Sequence, residues 1–320
     1  MKKSTLALAL LVSSGAASAQ SSVTVYGLMD TGIGYTKSST TKSTISMDSG
    51  NWYGSRIGFK GTEDLGGGLS AEFRLETGFS SDTGALGQGG RLFGRQSWIG
   101  INGGFGSVKL GRQWIPAYIT LGDIEPFGIG MAGDASYWLG ANVFQDIDIR
   151  MSNAVNYSFS SHGMEGIVTY GMGETAGSIA TNAQLGGSLA YKAGPVVAAI
   201  THHQVKDAAG SGYAKTTIFG GSYDFGILTV HAAASVDQTD ANNIRTYDRR
   251  NEVVGVSVPI GMGKLIADFI SQQNKLGMSA HQYALGYYYE ISKRTSVYTS
   301  YAYENGNKTT KMNAGIKHLF

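Results

Sequence analysis

Cysteine is absent from the 320 residues, so no disulfide staples the fold and no thiolate serves as nucleophile or metal ligand. Proline occurs only 4 times, leaving long stretches free of the residue that removes ladder hydrogen bonds. Beyond the N-terminal segment no run of about 18 apolar residues occurs, which argues against a membrane-spanning helix. A charge excess is missing too. Once Lys2 and Lys3 are set aside with that segment, basic residues equal the 23 acidic ones. A chain without net charge lacks the broad electrostatic footprint of a nucleic-acid binder.

What is present points one way. Residues 1–19 read as a cleavable export signal: Lys2 and Lys3 supply the charged start, Leu6 to Val12 the short apolar stretch, and Ala17-Ser18-Ala19 the small-residue site, with cleavage before Gln20. An exported chain of this size without disulfides needs another source of cohesion, and a closed hydrogen-bonded sheet supplies it. Glycine is abundant at 47 residues, beside 18 Tyr, 12 Phe and 4 Trp. Glycine-rich disorder is the plain alternative, but aromatic and β-branched residues at this density favour packed strands.

Seven tight-turn signals recur with strand-like sequence on both sides, centred near residues 66, 104, 162, 194, 226, 262 and 293. If each joins two strands and one strand stands at each terminus, the sheet has sixteen strands and both termini lie at the short-turn rim. The interval between the turns at 104 and 162 is the longest, and its excess falls in about 114–147. Trp114, Phe127, Tyr137, Trp138 and Phe144 mark that stretch as packed, so it is expected to fold into the interior.

Alternation within the strands separates charge from apolar side chains. Val23, Val25, Met29 and Ile33 share one face, opposite Tyr26 and Asp30. Ile57 and Phe59 oppose Arg56 and Lys60; Leu69, Ala71, Phe73 and Leu75 oppose Glu72, Arg74 and Glu76. Period two fits either a soluble sandwich or a transmembrane barrel. The export signal, the strand count and a final strand ending on Phe320 favour the barrel.

Several segments resemble the trimeric, sixteen-stranded general porins of Gram-negative bacteria, especially those of β-proteobacteria. These are Ser22-Val23-Thr24-Val25-Tyr26-Gly27, the run from Ser55 to Gly66, Gly94-Arg95-Gln96-Ser97-Trp98-Ile99-Gly100, and Val108-Lys109-Leu110-Gly111-Arg112-Gln113. The resemblance implies an all-β fold over 20–320, a sixteen-stranded antiparallel transmembrane barrel of the cell outer membrane. It implies a homotrimer among outer-membrane lipids, inserted by the barrel-assembly machinery with Phe320 as the assembly signal. Function would be passive diffusion of ions and small hydrophilic solutes, without cofactor or catalysis. It also implies a third loop folded inward, carrying acids opposite an arginine ladder. The acids are Asp123 and Glu125, with Asp134 as a further candidate. The ladder is Arg56, Arg95 and Arg150, and strand parity adds Arg74. Arg112 shares the phase of Val108 and Leu110 and is left out.

Two other classes stay open on the residues alone. A barrel hydrolase would need an oriented nucleophile–base pair, and no local motif supplies one. A plugged adhesin or structural barrel would fold without conducting. Gly128-Ile129-Gly130-Met131-Ala132-Gly133 matches a dinucleotide fingerprint in spacing, but no strand precedes it and no helix follows; the glycines are read as bends in the inward loop. His202 and His203 are adjacent, point to opposite faces of a strand, and are not expected to share a metal.

Overall fold

The computed structural model describes residues 22–140, 149–242 and 244–320; the export segment 1–19 and Phe144 lie outside them. Among the described residues seventeen strand segments form one antiparallel sheet. They are β1 (Ser22–Lys37), β2 (Thr44–Ser49), β3 (Arg56–Gly66), β4 (Leu69–Gly78), β5 (Gln96–Gly103), β6 (Gly106–Trp114), β7 (Arg150–Ser161), β8 (Met164–Gly171), β9 (Gln184–Ala193), β10 (Val196–Lys206), β11 (Tyr213–Asp224), β12 (Thr229–Ala241), β13 (Ile244–Ile260), β14 (Gly263–Asn274), β15 (Ala280–Glu290), β16 (Thr295–Glu304) and β17 (Thr309–Leu319).

Apart from β2 and β3, which both pair with β1, each strand pairs with its sequence neighbours, and β1 pairs with β17 from Leu28↔Leu319 to Lys37↔Thr310, so the sheet closes on itself. Seventeen segments make sixteen staves because β2 and β3 share one position. β2 pairs with β1 over Thr31–Thr36 and β3 pairs with it over Ser22–Leu28. The chain between them, residues 50–55, leaves the wall and turns inward. Closure satisfies every edge, as a lipid environment requires.

All seven predicted turns fall between strands at one rim, together with the start of β1 and Phe320. In the first, Gly66, Gly67 and Gly68 all have positive φ, a conformation that glycine adopts without steric cost. Longer connections occupy the opposite rim, the arrangement of periplasmic turns and extracellular loops.

The outer surface carries the apolar phase of the strands: Val25 is 56% exposed and Ile33 58%. Tyr283, Leu285 and Tyr289 of β15 are exposed on the same surface. The inner surface carries the polar phase on β3–β6. On β9–β14 it also carries Ala190, Ala199, Ile218, Ala233, Val253 and Ile270, all buried. A helix of the long third loop, α1 (Pro116–Ile124), lies on the β9–β12 part of this face, and its Leu121 and Ile124, with Ile115 just before it, belong to the same buried cluster. No helix among the described residues is long and apolar enough to cross a membrane; the strands span it.

Candidate pore constriction

Residues 115–140 run from the end of β6 across the barrel interior. Pro116 starts α1, where its missing amide hydrogen is no loss. The helix lies against β9–β12, and beyond it the loop reaches β13–β16 by a series of fitted contacts. Three wall glycines act as sockets for three rings of the loop. A Cβ at Gly186 would lie 2.9 Å from Pro116 Cδ, one at Gly255 2.5 Å from Pro126 Cγ, and one at Gly286 2.7 Å from Phe127 Cε1. At the tip the Ala132 amide donates to Ser300 Oγ at 3.0 Å and the Met131 amide to the Asn51 carbonyl at 2.8 Å. The Gly140 amide donates to the buried Asp237 carboxylate on β12 at 3.1 Å. Gly128 has φ of +64°, while Gly130 and Gly133 press against Trp52 and the Phe127 ring too closely for a side chain. The glycine-rich stretch is thus a bend and a close approach.

The inward break in the second stave meets this tip. Asp30 is fully buried on β1 and its carboxylate accepts from the Trp52 amide at 3.0 Å and the Tyr53 amide at 2.7 Å. The Tyr298 hydroxyl of β16 donates to the same carboxylate. Lys317 of β17 lies 3.4 Å above the Trp52 ring.

Arg56 opens β3, Arg95 precedes β5 and Arg150 opens β7, so three guanidiniums enter the lumen from every second stave at the loop-side ends of these strands. All three line one space of about 420 Å³ with Tyr53, Tyr118, Met131 and Asp134 of the inward segments. Arg95 Nε pairs with Glu76 at 2.7 Å. Arg95 and Arg150 lie over the Trp114 ring at 5.2 and 4.2 Å, an attraction that holds a cation without neutralising it. Arg74 is also on the inner face but nearer the turn rim, between the Tyr26 and Trp98 rings at 5.8 Å from each. Arg112 instead donates to the Gly94 carbonyl at 2.7 Å and the Ser152 hydroxyl at 2.8 Å, bracing neighbouring chain.

The loop acids are distributed differently from the sequence expectation. Asp123 is turned to the wall, where Lys192 Nζ lies 2.8 Å away and bridges to Glu165 at 2.8 Å. Glu125 is 3% exposed and folds back on its own loop, accepting from the Phe127 amide at 3.0 Å and from the Ile129 amide. Asp134 lines the arginine space and accepts from the Ser136 amide at 2.8 Å. Burial pushes the Glu125 carboxyl well above the usual carboxylate range, and the nearby charges of Asp134 and Asp268 push it further. Burial raises Asp134 as well.

Asp30, Asp237 and the socket glycines were not marked as site residues by the sequence reading. One signal for the loop's resting place does exist in the sequence. Ile218-Phe219, Val253-Val254 and Phe269-Ile270 put apolar side chains on both faces of β11, β13 and β14, which a water-lined wall does not need. His203 is buried inward and His202 points outward to Thr217 Oγ1 at 2.8 Å, and no metal-binding group occurs among the described residues.

A closed sixteen-stave barrel, apolar outside and crossed within by a long loop facing arginines, defines an outer-membrane diffusion channel. The sequence profile described as Gram-negative porin matches residues 4–309, and the chain belongs to that family. Outer membrane porin protein 32 of Delftia acidovorans is 31% identical over the full length of both chains. The major outer membrane protein P.IB of Neisseria meningitidis is 30% identical, again over both full lengths. Among solved structures, an anion-selective porin from Comamonas acidovorans superposes with a TM-score of 0.83 at 27% identity, covering 94% of this chain and all of that one. The protein is a passive channel of the Gram-negative outer membrane.

Proposed function

We propose that this channel is a mildly anion-preferring trimeric pore whose narrowest section is formed by Arg56, Arg95 and Arg150 facing the inward loop. One observation carries the reading: three guanidiniums and the loop border a single space, and of the three loop acids considered only Asp134 borders it. Asp123 is matched by Lys192 and Glu125 by backbone donors, so the balance at this level is positive. Arg74 extends the positive wall toward the turn rim. A unit charge ~6 Å from an ion in water contributes ~0.7 kcal/mol before screening; because Glu76 pairs with Arg95, the surplus positive charge biases permeation by only about threefold to tenfold. That amounts to a preference between anions and cations, weaker than a strict filter. The anion selectivity of the Comamonas acidovorans relative agrees in sign.

The test is the reversal potential of purified protein in a planar bilayer across a salt gradient. Replacing the three arginines by glutamine should move it toward cation preference, most at low salt where the Debye length is long. Asp134→Asn should move it the other way. An unchanged potential in ~0.1 M salt from pores that still conduct would remove these residues from the constriction.

Trimer formation is supported by the apolar outer face of the first staves, where Val23, Val25, Met29, Ile33, Ile45 and Met47 are exposed and a neighbouring barrel could cover them. Unheated electrophoresis should show an oligomer that boiling converts to monomer; a strictly monomeric particle by light scattering would refute it. Export should remove residues 1–19, giving an intact mass that starts at Gln20.

A further inference from the structure

The narrow section carries more than charge. Two stacked aromatic pairs border the same space of about 420 Å³ as the arginines. Trp114 and Tyr118 lie with ring centroids 4.6 Å apart and planes inclined by 3°. Trp52 and Tyr53 lie 5.4 Å apart at 21°. The first pair comes from the end of β6 and the first turn of α1, the second from the break between β2 and β3. Each is fixed by its own contacts: Arg150 packs on Trp114, while the Asp30 carboxylate holds the amides of Trp52 and Tyr53. Holding cations accounts for Trp114, under Arg95 and Arg150, and for Trp52, under Lys317; the attraction of small inorganic anions does not depend on the shape of what bears the charge and gives no reason for Tyr118 and Tyr53 to be stacked beside them.

The arginines also differ from one another. Arg95 is engaged by Glu76 and Arg150 is 5% exposed against Trp114. Arg56 is half-buried and makes no hydrogen bond or ion pair with the described residues. It borders the space as a guanidinium whose donors are left for a solute, and a planar fork of this kind suits a carboxylate.

We infer that the constriction binds aromatic monocarboxylates in transit, the carboxylate meeting Arg56 and the flat ring lying against the stacked pairs. The inference rests on the pore reading above. A second negative charge on the solute would face Asp134 in the same space, which favours monoanions over dicarboxylates. Flat π-systems gain from offset or edge contact with the rings, whereas a saturated ring of like size gains only burial.

The experiment measures block of the chloride current of purified protein in a planar bilayer at ~0.1 M salt, titrated with benzoate and, separately, with cyclohexanecarboxylate. The two acids share charge and approximate size and differ in planarity. Benzoate should reach half-block at a roughly threefold to tenfold lower concentration, the range a ring contact supplies. Arg56→Gln should weaken block by both acids, and Tyr53→Leu and Tyr118→Leu should bring the benzoate advantage down toward parity, each variant compared with its own chloride current. Equal half-block concentrations in the unaltered protein would overturn the inference even if no variant folds. So would a benzoate advantage that survives both leucine variants. A protein that conducts but blocks equally keeps the pore reading and loses this one; a protein without conductance loses both.

Discussion

The Asp30 carboxylate accepts from the Trp52 and Tyr53 amides and the Tyr298 hydroxyl, so one side chain ties β1, the inward break and β16 together. Asp30→Ala leaves buried donors without an acceptor, at about 1–3 kcal/mol for each one that water does not reach. The expected outcome is an earlier urea midpoint and a noisier open-channel current as residues 50–55 loosen; an unchanged trace would show that the break holds itself. Glu125 and Asp134 give a pH prediction whose sign follows from their raised pKa values. The native state holds those protons more tightly than the unfolded chain, so their contribution to stability is full below the ordinary carboxylate range of about 4 and is lost as pH rises through the raised values. Ionisation of Asp134 also adds negative charge opposite the arginines. Raising pH through that window should therefore move the reversal potential toward cations, and Asp134→Asn should flatten the dependence.

The inward loop behaves as an inserted element held by shape. Its rings occupy sockets at Gly186, Gly255 and Gly286, and its carbonyl and amide groups find partners on several staves. Gly286→Ala places a methyl group against Phe127, and overpacking of this kind costs typically about 1–3 kcal/mol. Single-channel conductance should change as the tip shifts, and Phe127→Leu in the same chain should restore it in part; additive effects of the two substitutions would mean that the socket is not what positions the tip. The staves and the turns were legible because period-two alternation and glycine turns are local signals; Arg56 followed from the same alternation, whereas Arg95 and Arg150 came from the family resemblance alone. The destinations of Asp123 and Glu125 were not, since Lys192 lies far along the chain from Asp123 and the Glu125 partners are amides that any residue type could supply. The break at residues 50–55 was hidden for a similar reason: Asn51, Trp52 and Tyr53 read as ordinary loop until Asp30 is seen beneath them.

At the scale of the whole molecule the seam between β1 and β17 completes the ring. The Gly27 amide donates to the Phe320 carbonyl at 3.0 Å and the Phe320 amide to the Gly27 carbonyl at 3.1 Å. The Phe320 ring lies over Gly27 on the outer face, where any Cβ would collide with it. Deleting Phe320 should give poor outer-membrane insertion with near-normal current from the few pores formed, and Gly27→Val should reproduce that phenotype by displacing the ring. Heat-modifiable migration of membrane fractions reads both, and normal assembly of the deletion would refute the role. The same seam fixes a sequence of events in folding. It joins Leu28 to Leu319, so its contacts enclose nearly the entire chain, and a flexible loop of that length costs about 5 kcal/mol to close by the (3/2)RT ln n scaling. Contacts of such separation form late. The third loop is gripped from β9 to β16 and by residues 50–55, staves that lie on both sides of the seam, so its full set of contacts is complete only once the first and last strands have met. Ring closure and loop seating therefore support one another: a barrel whose seam has opened has lost part of the loop's grip as well.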